Sequence, residues 1–385
     1  MFHDEWGSHI SIASLQGRDI PSPLRESELW MGAHECGPAG VERPGHRTLL
    51  DLVAAGPEAE MGADCVARFG PRLPFLLKVL AAGRAISIQV HPTAADVRRL
   101  RAELPPAAAR SVYVDGLAKP ELLVAVSPFE AFVGLRPHAE TAEVARRLAV
   151  PRFGALVEAS AAAEAPERAL LEAVLAVPRK RHASLAREVV RSCLAAGSTN
   201  DAIGRACAAV VRVAEDHPGD IGLVVLLLMN HRVLRPGEYL DVSPGVLHSY
   251  VSGLGVEVLA NSDNVVRAGL TSKPINVGEL LRIIDPSGDS EPRRPVAGPD
   301  GTEAFPTASE CFRLHRIGRS EATRVPGDGG PRILFCLRGS VTVRSGDAAV
   351  EVGPTGSVFL PVSDTTVTVE GRGEVYVVSA VLDTP

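Results

Sequence analysis

Aromatic side chains are scarce in this chain, at 4% of 385 residues, so its core must be packed mainly on small aliphatics. Basic runs are missing as well. The net charge is -6 with lysines and arginines dispersed, which argues against a nucleic-acid partner. An anionic ligand would need a local group of cations. The longest apolar run, Ile221 to Met229, is less than half the roughly 20 residues of a membrane-spanning helix, so no membrane association is expected. There is no CxxC pair. The six cysteines (Cys36, Cys65, Cys193, Cys207, Cys311, Cys336) are widely scattered and read as reduced thiols, mostly small core residues. Met1 to Ile10 holds His3, Asp4, Glu5 and His9 where a signal peptide would carry a basic segment and an apolar stretch. A cytoplasmic protein is expected, and nothing calls for a partner subunit, so a monomer is expected too.

What is present is a chain long enough for two or three domains, 45% hydrophobic, with 36 Gly and 30 Pro. So many turns imply short elements and a mainly β fold. Up to Pro137, short apolar runs such as Leu76 to Leu80 and Leu122 to Val126 lie between Gly and Pro breaks. Residues 138–217 change to Ala, Glu, Arg and Leu and read as helices. In the last of them Ile203, Cys207, Val210, Val211 and Ala214 form one apolar stripe, with Thr199, Asn200 or Asp201 as N-cap and His217-Pro218-Gly219 as the stop. Strand pattern is expected to resume at Ile221, which makes 138–217 a helical insertion between 1–137 and 218–290. A polar linker, Ser287 to Gly301, precedes a C-terminal region, 291–385. There Arg332–Leu337, Ser340–Arg344, Ala348–Val352, Ser357–Pro361, Thr365–Val369 and Val375–Ala380 read as six strands of a jelly roll. Its one histidine, His315, argues against a metal site there.

The most informative segment is Ala85-Ile86-Ser87-Ile88-Gln89-Val90-His91-Pro92. Apolar and polar residues alternate, so hydroxyl, amide and imidazole share one face of a strand that Pro92 ends. An amide oxygen and an imidazole two residues apart can bind one metal ion, leaving Ser87 for a substrate. Alone, such a strand is more often a half-exposed one whose polar face meets water.

Three further segments change that balance. Lys119-Pro120-Glu121 places a carboxylate at the start of an apolar run. Pro236-Gly237-Glu238 is followed by Pro244-Gly245-Val246-Leu247-His248, a turn and strand typical of a cupin, with the histidine facing the barrel interior. Together Gln89, His91, Glu121 and His248 supply two nitrogen and two oxygen donors, a set that suits one zinc ion with positions left open. The two histidines are 157 positions apart, so only the fold can assemble the site. The fourth segment, Glu257 to Lys273, reads by composition as a polar loop with Arg267 paired to Asp263.

The motifs SIQVHP, KPE with PFEAFVGLRP, PGEYLDVSPGVLHSY and EVLANSDNVVRAGLTSK resemble those of the type I mannose-6-phosphate isomerases. LWMG and LPFLLK match weaker positions of that family. The resemblance implies a zinc-dependent cupin of jelly-roll form with a helical insertion and a second, C-terminal jelly roll. It implies the same four zinc ligands, Arg267 beside the reacting carbons, and Glu257 and Asp263 in the same pocket. Lys119 or Glu257 would move the proton, and Ser87 and Lys273 would hold the substrate phosphate. The family usually reads Asn-His before Lys-Pro-Glu, whereas Leu117-Ala118 stands here, so an imidazole proposed to assist ring opening is missing.

The function so implied is interconversion of mannose 6-phosphate and fructose 6-phosphate through a cis-enediol. Two alternatives stand beside it. One is a relative specialised for another phosphosugar, motivated by Ala118. The other is a non-catalytic metal-dependent sugar binder, which would have no need of Arg267, Glu257 and Lys119 together.

Overall fold

The computed structural model describes residues 1–273, 275–289, 291–298, 301–318, 320–327 and 329–382. Its first sheet has nine strands: β1 (Glu28–Met31), β2 (Phe75–Ala82), β3 (Ile88–Val90), β4 (Glu121–Ala125), β5 (Phe129–Leu135), β6 (Met229–Leu234), β7 (Tyr239–Val242), β8 (His248–Ala260) and β9 (Val266–Gly269). Every pairing is antiparallel.

The thirteen-residue β8 organises this sheet. Its second half lies between β2 and β4, while its first half pairs with β5 and meets β3 at His248. Between the halves the register slips after Tyr250, and Gly253 takes φ +131. A Cβ there would stand 2.6 Å from the Phe129 ring, so only glycine allows the strand to turn at this point.

Helices fill the gap between β5 and β6: α1 (His138–Leu148), α2 (Pro151–Ser160), α3 (Pro166–Leu175), α4 (Arg179–Ala196), α5 (Ala202–Asp216) and α6 (Gly222–Leu227). Four of them start on a proline or just after one, where the missing N–H has no helical partner to lose. In α5 the Asp201 side chain caps the Gly204 N–H, as expected. The apolar stripe is rotated from the expected one. Ala206, Cys207, Ala209, Val210 and Val213 are buried, while Ile203, Val211 and Ala214 are only partly so. Small alanines let α5 approach its neighbours closely, which an estimate by apolar spacing does not register.

Two expectations are corrected here. The run from Ile221 is not strand but α6, and β6 starts at Met229. Leu223 to Leu227 are all buried, and a run that is apolar on every side has no period to tell helix from strand. The chain is also mixed α/β rather than mainly β, with helices as prominent as strands.

The second sheet has eight strands: β10 (Val296–Ala297), β11 (Thr302–Phe305), β12 (Phe312–Ile317), β13 (Ser320–Arg324), β14 (Arg332–Ser345), β15 (Ala348–Val352), β16 (Ser357–Leu360) and β17 (Val367–Ala380). Four of the six expected strands merge into the two long strands β14 and β17. The glycines that looked like turns are kinks within a continuous ladder. Gly339 (φ +77) and Gly371 (φ +131) keep pairing, and a Cβ on Gly339 would lie 2.0 Å from the Arg372 carbonyl oxygen. The sheets share a core, in which Leu77, Val124 and Val256 of the first meet Phe305, Phe335 and Tyr376 of the second. Among the described residues no helix is long and apolar enough to cross a membrane, and all six cysteines are free thiols.

Candidate metal centre and active-site cavity

Strand ends build the metal centre. Glu121 opens β4, His248 opens β8, and His91 follows the last residue of β3. Pairing sets Gln89 directly opposite His248. The donor atoms of His91, Glu121 and His248 lie within 4.8 Å of one another, and all three residues are buried. His91 Nε2 is 3.3 Å from one Glu121 oxygen and His248 Nε2 is 3.5 Å from the other.

Second contacts determine what these rings can do. His91 Nδ1 donates to the Asn264 carbonyl at 2.7 Å, and His248 Nδ1 donates to the Val246 carbonyl at 3.0 Å. In the neutral tautomer both Nε2 atoms are then lone pairs facing a carboxylate. Burial holds both imidazoles neutral, pushing His248 down to about 4. Burial opposes charge on Glu121, but the rings of His91 and His248, whenever protonated, and the Lys119 ammonium, 3.1 Å away and charged throughout, outweigh it and hold its pKa well below the usual range. His91 Nε2 is buried without a hydrogen-bond partner. Lone pairs turned on a carboxylate out of water repel one another unless a cation lies between them. The donor set therefore fits a divalent metal of borderline softness such as zinc.

The centre opens on a cavity of about 660 Å³ lined by Ser87, Gln89, Lys119, Glu121, His248, Glu257, Arg267 and Lys273 among others. Those eight and His91, just behind the wall, account for nine of the ten site residues expected from the sequence. The Gln89 amide N–H donates to Ser87 Oγ at 3.0 Å, which orders the polar face of β3.

Arg267 is a correction. It lies not in a polar loop paired with Asp263 but on β9, across from Gln89. It is half-buried, burial lowers its pKa, and it has no ion-pair partner among the described residues. Lys273 is exposed on the loop after β9. That loop leaves the strand through Leu270 at φ +54, whose N–H, like that of Gly222, is accepted by Asp220 Oδ1 at 3.1 Å and 2.7 Å.

Asp263 does not line the cavity. Its carboxylate faces His34 Nε2 at 3.3 Å, and that hydrogen bond, with Lys119 and Lys78 farther off, lowers its pKa. His34, Cys36 and Asp263 cluster tightly enough to suggest a second metal group. His34 Nδ1, however, accepts the Cys36 N–H at 3.1 Å, so Nε2 carries the proton and donates to Asp263. No ring nitrogen is left for a metal.

Among the cavity residues that were not expected, three gather around Glu257. Lys78 forms ion pairs with Glu257 at 3.0 Å and Glu28 at 2.9 Å, and the Tyr250 hydroxyl donates to Glu257 at 3.0 Å. Burial pushes the Glu257 carboxyl up to about 7, with Lys78 pulling it down and Glu121 and Glu28 pushing it further up. Burial alone would lower the Lys78 pKa, but the surrounding carboxylates raise it above its ordinary value. The signal for Lys78 was its place as the one charge in the strand FLLKVLAA, since buried lysines are rare unless paired. Ala118 is half-buried and is not part of the cavity lining.

Residues 1–138 match the family model for the phosphomannose isomerase type I catalytic domain. Mannose-6-phosphate isomerase of Escherichia coli (strain K12) is 31% identical over 379 residues, spanning 96% of this chain and 95% of that protein. Mannose-6-phosphate isomerase 2 of Arabidopsis thaliana is 32% identical over 403 residues, spanning 96% and 89%. Among solved structures, a mutant of phosphomannose isomerase from Salmonella typhimurium superposes with a TM-score of 0.87 at 27% identity, covering 98% of this chain and 96% of that one. A zinc-bound mannose 6-phosphate isomerase gives 0.86 at 28% identity with the same coverage.

Proposed function

Since the chain belongs to the type I phosphomannose isomerases, its reaction is the interconversion of mannose 6-phosphate and fructose 6-phosphate, and we propose how the cavity carries it out. One observation supports the reading most. A buried His–Glu–His cluster and an arginine with no ion-pair partner among the described residues face the same cavity. Zinc, one ion per chain held by Gln89, His91, Glu121 and His248, would supply Lewis-acid polarisation of the sugar oxygens at C1 and C2.

The remaining work falls to the chain itself. Ring opening exposes an aldehyde at C1, and a proton then leaves C2 and returns at C1 by way of a cis-enediol. Glu257 is the better carrier of that proton, because a carboxyl near pH 7 can both take and give it back at neutral pH. Lys119, bound to Glu121, is the second candidate. Arg267 meets the negative charge that develops on the enediolate, as a permanently charged planar donor with no ion-pair partner among the described residues. Ser87, whose oxygen already accepts from Gln89, keeps its own O–H to donate to the phosphate, and Lys273 reaches the same group from the opposite loop. Asp263 has no part in this scheme.

Both antiparallel sheets are read as jelly rolls of the cupin kind. The first, residues 1–137 and 218–290 around the insertion 138–217, performs the reaction, and the second, residues 291–385, has no metal. A monomer acting in the cytoplasm completes the reading, and the six free thiols agree with a reducing compartment. The test is a coupled assay from mannose 6-phosphate to fructose 6-phosphate with and without a chelator. Turnover should vanish with the metal and return with added zinc. Turnover that ignores complete metal removal would sink the reading.

A further inference from the structure

Asp115 accepts more hydrogen bonds than any role in a surface loop requires. Its Oδ1 takes the Leu117 N–H at 2.8 Å, the Asn264 side-chain amide at 3.0 Å and the Ser262 hydroxyl at 3.0 Å. Its Oδ2 takes the Asp263 N–H at 2.9 Å and shares the Ser262 hydroxyl at 3.0 Å. No cation pairs with it among the described residues, so neutral donors alone satisfy its charge. Asn264, fully buried, completes the knot. Its Oδ1 accepts the Asp115 N–H at 3.2 Å, and its Nδ2 donates to the carbonyls of Asp115 at 3.2 Å and Leu117 at 2.8 Å.

Both ends of this knot reach the metal centre. The Asn264 carbonyl receives His91 Nδ1–H, which orients that ring and frees Nε2. On the other side, Leu117 is held at both N–H and C=O, and two residues later Lys119 places its ammonium 3.1 Å from Glu121. We propose that Asp115 is a positioning residue, one carboxylate that sets together the His91 ring and the loop carrying Lys119. The inference rests on the reading of His91 as a metal ligand. It also explains how position 118 can lose its imidazole while its neighbour keeps its place, since the loop backbone is held through Leu117 and not through the side chain at 118.

Asp115→Ala and Asp115→Asn are to be compared with the native protein for zinc affinity by chelator competition, for kcat and KM at saturating zinc, and for melting temperature. Orienting partners of metal-bound histidines typically contribute about 10- to 100-fold in metal affinity. Zinc should therefore bind about that much more weakly to Asp115→Ala, and kcat should fall even at saturating zinc while KM moves little. Asp115→Asn, which keeps one acceptor, should fall between that variant and the native protein. If Asp115→Ala does not fold, Asp115→Asn is judged by the same measurements against native protein. A folded variant with native zinc affinity and native kcat overturns the proposal. His91→Ala serves as the control, because native zinc affinity there would instead remove the metal reading and the proposal with it.

Discussion

Gln89 and Arg267 are direct cross-strand partners, and His248 flanks Gln89 on the opposite side, so the three stand in one row across β8, β3 and β9. Partners in neighbouring strands have Cα atoms about 4.5–5.5 Å apart. The Arg267 guanidinium therefore springs from a backbone about 10 Å from that of His248, with the Gln89 amide between. A two-carbon unit polarised at one end and stabilised as an anion at the other fits such a row.

Loss of a histidine ligand should abolish metal and catalysis together. His248→Ala or His91→Ala removes a neutral nitrogen from a site with few donors, so zinc measured by elemental analysis and turnover should fall in parallel to background. Glu121→Gln keeps the shape and removes the one anionic donor. It should stay folded, by circular dichroism, and bind zinc more weakly. Full activity in metal-stripped His248→Ala would refute the assignment.

Lys273→Ala should separate phosphorylated from plain sugars. A hydrogen bond to a charged group contributes about 1.5–3 kcal/mol, so binding of mannose 6-phosphate should weaken by about tenfold to a hundredfold. Mannose itself should be a poor substrate that the change hardly touches. Equal losses on both sugars would place Lys273 outside the phosphate site.

Glu257 predicts opposite responses of activity and stability to pH. Its pKa in the folded chain is raised to about 7 from an ordinary 4.5. As a base it must be ionised, so kcat/KM should rise from pH 6 to 8. Because the folded pKa lies above the unfolded one, its contribution to stability is full below about pH 4.5 and is lost as pH rises through about 7. Glu257→Gln should remove the acid limb of the rate profile and flatten that part of the stability curve. An unchanged limb in the variant would give the proton to Lys119.

Ala118→His should raise turnover or leave it unchanged. The proton transfer between C1 and C2 relies on other residues, so the native chain should be active and limited by ring opening. A restored acid–base group contributes about 10²–10⁴-fold where its geometry allows. Comparing turnover on ring-closed and transiently open-chain substrate in both proteins checks this. Inactivity of both on mannose 6-phosphate would point to another phosphosugar, whereas equal rates fit a side chain that stays outside the cavity.

Part of the candidate metal cluster could be read from the chain, because alternation along Ser87, Gln89 and His91 shows directly which side chains share a face. Lys78 stands out as a lone charge, but Glu28 and Tyr250 could not be read. Glu28 joins Glu257 through Lys78 because β1 and β8 lie on either side of β2, and Tyr250 reaches Glu257 because β8 bends between them; neither pairing order nor a bend leaves a mark in local pattern. Asp263 misled for a similar reason. Four positions from Arg267, it finds its partner in His34, more than two hundred residues earlier. Gly339 and Gly371 show the limit of turn chemistry, since a positive φ serves a kink inside a strand as well as a hairpin.

The strand ends that present His91, Glu121 and His248 have a thermodynamic consequence. In the unfolded chain these donors are scattered over more than 150 positions, so it offers zinc no comparable site. A metal that binds only the folded form stabilises it by RT ln(1 + [L]/Kd), about 2.7 kcal/mol when free metal stands at a hundred times Kd. The sheet and its ion are therefore linked equilibria. Starving the protein of zinc would do more than silence the enzyme. It would increase the fraction of chains found unfolded at any moment, and so the fraction exposed to proteolysis.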